Sequence, residues 1–354
     1  MNIINKIKEA QSGVLKGAVT SLSMINREIG GIYPGMYGVI ASEQKVGKST
    51  FVYEYFVASL LELNPDIDIE INIVSTEMPR DAFEAKLISR FLYTTLGKYV
   101  STQKLLGREL SSDNKRVFLT KEEMYEVEKV YEENIKPITG EYDNDGKLIH
   151  KGKINWLTPL KPDDMFSKLR AIALENGVLL ERPVYGENLA FLGNETVSYK
   201  PHDPNKIIIN IIDHIRQLPK PNGVSMKDNV DNMSKYLVRS MNEYKHVNIA
   251  VVHLNRWFDS TKLRSVGDRL MPTSDNIKDT GNLSEDVSFM ITLMDPSDVA
   301  YNINRHFGYD FKAFNEQNPF LRYRSAHLVE NRYGGLDNAR LGYIGAASHF
   351  YEIK

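Results

Sequence analysis

Residues 206–213 read KIIINIID, with isoleucine at consecutive positions rather than at every second one. A strand with one wet face alternates apolar and polar residues, so a run apolar at both parities belongs in a sheet covered on both sides. Similar short runs recur at 37–41 (YGVIA), 69–76 (IEINIVST), 247–253 (VNIAVVH), 287–294 (VSFMITLM) and 326–330 (AHLVE). Helical patterns separate them. Phe51, Val52, Tyr55, Phe56 and Leu60 share a helical face, MPRDAFEAKLISRFL continues as a helix, Thr120 and Glu123 form a capping box, and another helix is expected near 226–245. This alternation predicts an α/β fold with a largely parallel central sheet and helices on both faces. ARLGYIGAASHFYEI predicts a closing antiparallel hairpin at the C-terminus. The rhythm breaks near 139–155, around the turn signal Asp145-Gly146, and near 183–203; both stretches read as loop insertions in a domain spanning 21–354. Residues 1–20 read as a short helix, with Ile3, Ile4 and Ile7 on one side, followed by a tether.

Composition narrows the function. With 42% hydrophobic and 25% charged residues, the chain can build a full core. Lys and Arg total 44 against 46 Asp and Glu, a net charge of -2, so a nucleic-acid partner would have to meet a local basic lining. The absence of cysteine excludes disulfides, cysteine-held zinc, iron–sulfur clusters and thiol catalysis. The N-terminus is too short and charged for a signal peptide, and the apolar runs are of strand length, so the expectation is a cytoplasmic protein without a membrane span.

Gly47-Lys48-Ser49-Thr50 follows a predicted strand and opens a predicted helix. In that position backbone N–H groups and the helix N-terminus cradle phosphates, the lysine reaches the terminal ones, and the hydroxyl holds Mg²⁺. The expected ATP-binding loop therefore comprises Ser42, Glu43, Gln44, Lys45, Val46, Gly47, Lys48, Ser49 and Thr50, although Ser42 stands where the strict motif has glycine. Asp213 ends the strand 206–213, where a carboxylate could organise Mg²⁺ together with Ser49 or could simply cap the next helix. Glu77 follows another strand and could deprotonate the attacking water or cap a helix. His253 ends a third strand, able to contact a γ-phosphate or to hydrogen-bond within the sheet edge.

Taken in order, GGIYPGMYGVIASEQKVGKSTF, IVSTEMPRDAF, IIDHIRQL, VVHLNR, SDNIKDTGNLSEDVSFMITLMD and VENRYGG resemble the motifs of the DnaB-like hexameric replicative helicases, from Thr20 to the C-terminus. The resemblance implies a RecA-type motor core using ATP and Mg²⁺. It also implies single-stranded DNA as partner, a hexameric ring, and a primase or helicase loader as further partner. On it, Glu77 matches the catalytic glutamate, His253 the γ-phosphate sensor, and Arg332 the arginine finger reaching into a neighbouring subunit. Glu330 stands where many members place a second cationic finger. The family's N-terminal domain has no counterpart, which with the extra loops implies a phage or mobile-element origin, and the helix at 1–12 would dock on the next subunit.

Two loops would line the DNA channel: 219–229, with Lys220 and Lys227, and 256–269, where Arg256, Lys262, Arg264 and Arg269 face two acids, Asp259 and Asp268. Repeated around a ring, this would concentrate positive charge on a phosphate backbone. The alternatives are a RecA-type recombinase, against which the STEMP and Asp279–Asp286 segments argue, and an NTP-dependent switch or loader.

Overall fold

Strand β8 (Ile207–Asp213) buries all seven of its residues, and alternate side chains enter two different cores. Ile207, Ile209 and Ile211 join the cluster under the first helical layer, with Phe51, Phe56 and Ile73. Ile212 joins the opposite cluster with Met233, Leu237 and Val252. This is the two-sided burial that the unbroken isoleucine run requires. The computed structural model describes residues 17–142, 148–185, 190–254, 267–277, 283–298 and 301–354, and positions 4, 8 and 11.

Six parallel strands build the centre: β1 (Met36–Ser42), β2 (Ile69–Ser75), β5 (Ile154–Leu157), β8, β9 (Val247–His253) and β10 (Phe289–Met294). Three antiparallel strands, β11 (Arg322–Asn331), β12 (Asp337–Ile344) and β13 (His349–Glu352), extend it beyond β10. Among the described residues the order is β13-β12-β11-β10-β1-β9-β8-β2-β5, with the predicted hairpin closing one edge. Helices α1 (Lys48–Tyr53, prolonged by Glu54–Ala58 and Ser59–Leu63) and α2 (Arg80–Leu96) contribute to the first core, while α4 (Pro162–Asn176) and α5 (Met226–Tyr244) contribute to the second. The short helix α3 (Lys121–Val130) carries the predicted Thr120–Glu123 capping box.

Two core elements carry little sequence signal. Strand β5 is four residues long with only Ile154 fully buried, because it is the sheet's edge. It pairs with β2 from Ile71↔Ile154 onward, so the stretch near 139–155 holds a small hairpin, β3 (Glu141–Tyr142) with β4 (Leu148–His150), and then re-enters the sheet. The second break is a longer hairpin than the turn residues suggest, β6 (Gly177–Tyr185) against β7 (Phe191–Pro201).

A row of asparagines crosses the sheet where apolar side chains would be expected. Asn155 Nδ2 donates to Asn72 Oδ1 at 3.0 Å, Asn72 Nδ2 to Asn210 Oδ1 at 3.1 Å, and Asn210 Nδ2 to Asn248 Oδ1 at 2.9 Å. The row ends on α5, where Asn248 Nδ2 donates to the Leu237 carbonyl at 2.7 Å. Each asparagine stands directly opposite the next in register. A one-residue slip would leave buried amides unpaired, so the row fixes the register that aligns the strand ends. Asn210→Leu keeps the volume but orphans Asn72 Nδ2 and Asn248 Oδ1. Its expected cost is roughly 2–5 kcal/mol, from about 1–3 kcal/mol per unsatisfied buried group. Urea unfolding measures it, and a loss below about 0.5 kcal/mol would remove the row from any register-setting role.

Candidate functional site

The aligned C-terminal ends of the parallel strands form the site. Ser42, at the end of β1, lies opposite His253 of β9, and Ser75 of β2 lies opposite Asp213 of β8. The loop 43–47 leaves β1 and delivers Lys48 into the first turn of α1, with Gly47 at φ 109°, a left-handed conformation suited to glycine. Ser42 is buried, and its hydroxyl donates to the Glu43 carbonyl at 2.6 Å, so the residue replacing the usual glycine is turned away into the protein. The loop borders an open cleft of about 360 Å³ lined by Gln44, Lys45, Gly47, Lys48, Ser49, Thr50, Glu77, Met78, Lys86, His253 and Tyr343. Ser42, Glu43, Val46 and Asp213 of the sequence-predicted set lie behind this lining.

The charged groups touch one another in sequence. Lys48 Nζ is 3.0 Å from His253 Nδ1, His253 Nε2 is 3.5 Å from Glu77 Oε1, and Glu77 Oε1 accepts from Gln217 Nε2 at 2.9 Å. Burial holds Lys48 below its ordinary pKa, opposed by the charges of Glu77 and Asp213. Burial, and next the Lys48 charge, lower His253 as well. A neutral His253 can then accept from Lys48 at Nδ1 and present its Nε2–H toward Glu77. Beneath it lies His214, ring centroids 4.1 Å apart, pushed by burial down to about 3.

Asp213 is fully buried, and burial raises its pKa, reinforced by Glu77 and opposed by Ser49, Tyr53 and Lys48. Its Oδ2 accepts from the Tyr53 hydroxyl at 3.2 Å, while its Oδ1 has no hydrogen-bond partner. An orphaned carboxylate oxygen in a buried position is costly unless something else binds it. With Ser49 beside it, this donor set fits a hard cation such as Mg²⁺.

Sequence reading overlooks Lys86 and Tyr343. Lys86 projects from α2 to donate to Thr50 Oγ1 at 3.1 Å, and burial lowers its pKa. Tyr343, on β12, forms part of the cleft wall. Neither carries a motif; each reaches the cleft through packing between elements distant in sequence.

Arg332 lies away from its own cleft. On β11, Ser325 pairs with Met294 and Asn331 with Phe289, so the strand runs from the cleft edge to the opposite edge of the sheet. Arg332, just beyond, is exposed and donates from Nη2 to the Glu285 carbonyl. Glu330 accepts from Ser274 Oγ at 2.7 Å. Lys220 and Lys227 are exposed in and after the segment that follows β8, with Lys220 Nζ donating to the Val224 carbonyl at 3.0 Å. Arg269 is exposed in a short helical turn. Arg256, Lys262 and Arg264, and most of the helix expected at 1–12, fall outside the described residues. Among the described residues no helix is long and apolar enough to cross a membrane.

No known family's sequence profile matches this chain, and no curated protein does. Solved structures do. One, solved as an isolated ATPase domain, superposes with a TM-score of 0.64, covering 99% of this chain and 97% of its own, at 16% identity. The fold is RecA-like. A DnaB-like replicative helicase, solved with its interactions with primase, superposes on the same core with a TM-score of 0.63 and 15% identity, covering 99% of this chain and 66% of that one. The RecA-like core thus accounts for nearly every residue, including the antiparallel extension beyond β10.

Proposed function

We propose that this chain is an ATP-hydrolysing DNA helicase that assembles into a ring, a hexamer on the family resemblance, and translocates on single-stranded DNA. The observation that carries the reading is the meeting of Lys48, Glu77 and His253 in one cleft, directly over the orphaned Asp213 oxygen. Gln44 to Thr50 would wrap the phosphates, with Lys48 at the terminal ones. Ser49 and Asp213 would hold Mg²⁺, which when bound neutralises charge developing on the phosphates. Glu77 would take the proton of the attacking water, and His253, in contact with both Lys48 and Glu77, would report the presence or loss of the γ-phosphate. Arg332, far from its own cleft, would serve the cleft of a neighbouring subunit. Lys220, Lys227 and Arg269, with Arg256, Lys262 and Arg264, would line the DNA channel, and the N-terminal segment 1–20 would dock between subunits. The primase contact of the DnaB-like helicase extends to this chain as a further proposed partner.

Lys48→Ala is expected to abolish hydrolysis, because Lys86 donates to Thr50 and the described cleft offers no second cation at the position of Lys48. Wild-type ATPase should rise with single-stranded DNA, which separates a motor from a nucleotide switch. Near-normal ATPase in Lys48→Ala would end the phosphate-loop assignment.

A further inference from the structure

The strand that ends near Arg332 begins against the phosphate loop. Arg324, on β11, is 6% exposed. Its Nε donates to the Val46 carbonyl at 3.2 Å and its Nη1 to the Tyr323 carbonyl at 2.8 Å, while its Nη2 pairs with Asp295 Oδ2 at 2.9 Å. The guanidinium carbon lies 5.5 Å from the centroid of the Tyr343 ring, which stacks on Phe350 with centroids 4.5 Å apart. Phe350 closes on the loop so tightly that a Cβ at Gly47 would sit 3.0 Å from its Cζ. Arg324 itself does not line the cleft. It grips the loop from outside.

The peptide joining Val46 to Gly47 is trans, so its carbonyl and its N–H point in opposite directions. With the carbonyl turned toward Arg324, the Gly47 N–H is turned the other way, and Gly47 lines the cleft. Backbone N–H groups at such a position are the donors an anionic phosphate meets. A donor oriented before the ligand arrives removes an ordering cost from binding. Its loss therefore shows in affinity before it shows in the chemical step.

We propose that Arg324, held in place by Asp295, is a positioning residue of the nucleotide site that sets the Val46–Gly47 peptide to present the Gly47 N–H to phosphate. The proposal rests on the reading of the cleft as an ATP site. Arginine suits the task because its planar fork serves the Val46 carbonyl, the Tyr323 carbonyl and Asp295 at once, whereas lysine has a single donor atom.

The test titrates a fluorescent ATP analogue into the full chain and measures steady-state ATPase and thermal melting for wild type, Arg324→Gln, Arg324→Lys and Asp295→Asn. Arg324→Gln is expected to raise both Kd and KM roughly ten-fold, the scale of one lost hydrogen bond from a charged donor, with kcat at saturation nearly unchanged. Arg324→Lys should recover melting temperature through Asp295 without recovering affinity, and Asp295→Asn should weaken affinity to a smaller extent. Wild-type Kd and KM in Arg324→Gln would overturn the proposal, as would an Arg324→Lys protein whose affinity returns together with its stability. If Arg324→Gln does not fold, unchanged affinity in the other two variants overturns it. Failure of the wild type itself to bind nucleotide would instead overturn the reading of the cleft, and the proposal with it.

Discussion

Glu77→Gln is expected to bind ATP about as well as the wild type and to lose roughly 10²–10⁴-fold in turnover, the usual scale for a missing general base. The amide preserves the shape of the side chain, so the contact from Gln217 Nε2, now 2.9 Å from Glu77 Oε1, can persist to the new amide oxygen. What disappears is the proton acceptor. The carboxylate also favours the charged form of Lys48, but so does Asp213, and a bound triphosphate would supply more negative charge than Glu77 removes. Binding should therefore survive where hydrolysis does not. A fluorescent ATP analogue measures the first and phosphate release the second. Weakened binding with unchanged turnover per bound nucleotide would reassign Glu77 to holding Gln217 and His253 in place.

How far this site can be read in advance depends on how local each signal is. The phosphate loop is a contiguous stretch, and Asp213 and His253 each terminate a strand whose apolar run is visible in isolation. Parallel strands in register carry such terminal residues to one edge, so three separate positions become one cluster without any contact being known beforehand. Ser42 is the departure from the motif, and burial explains it: its hydroxyl is satisfied by the Glu43 carbonyl, leaving the cleft to its neighbours. Lys86, Tyr343 and Arg324 are illegible in the sequence because each acts across elements, with Arg324 and Val46 joined over 278 positions. Strand β5 escapes notice for a different reason. An edge strand of four residues with one buried position has too little periodicity to register, and its membership is set by pairing to β2. The asparagine row misleads in the same way, since a polar residue in an apolar strand reads as an interruption until its partners on adjacent strands are in view.

The test with the largest expected effect concerns Arg332. Strand β11 connects Arg324, against its own subunit's phosphate loop, to Arg332 at the far edge, a span of roughly 25 Å at about 3.3 Å per residue. At that separation the guanidinium cannot serve the cleft of its own chain without dismantling the sheet. If it serves any cleft, it serves a neighbour's. Arginine fingers are worth roughly 10³–10⁵ in rate where they operate, whereas an exposed arginine held only by a carbonyl such as that of Glu285 is worth about 1 kcal/mol. The two readings therefore differ by orders of magnitude for Arg332→Ala. Under the finger reading, Arg332→Ala and Glu77→Gln are each nearly inactive alone. Mixed in one assembly, some interfaces unite an intact Glu77 with an intact Arg332 from the adjacent subunit, and part of the ATPase returns. Full activity of Arg332→Ala by itself would dismiss the finger. A mixture that stays inactive despite proven co-assembly would show that hydrolysis needs every interface intact, or that Arg332 is required without being donated to a neighbour.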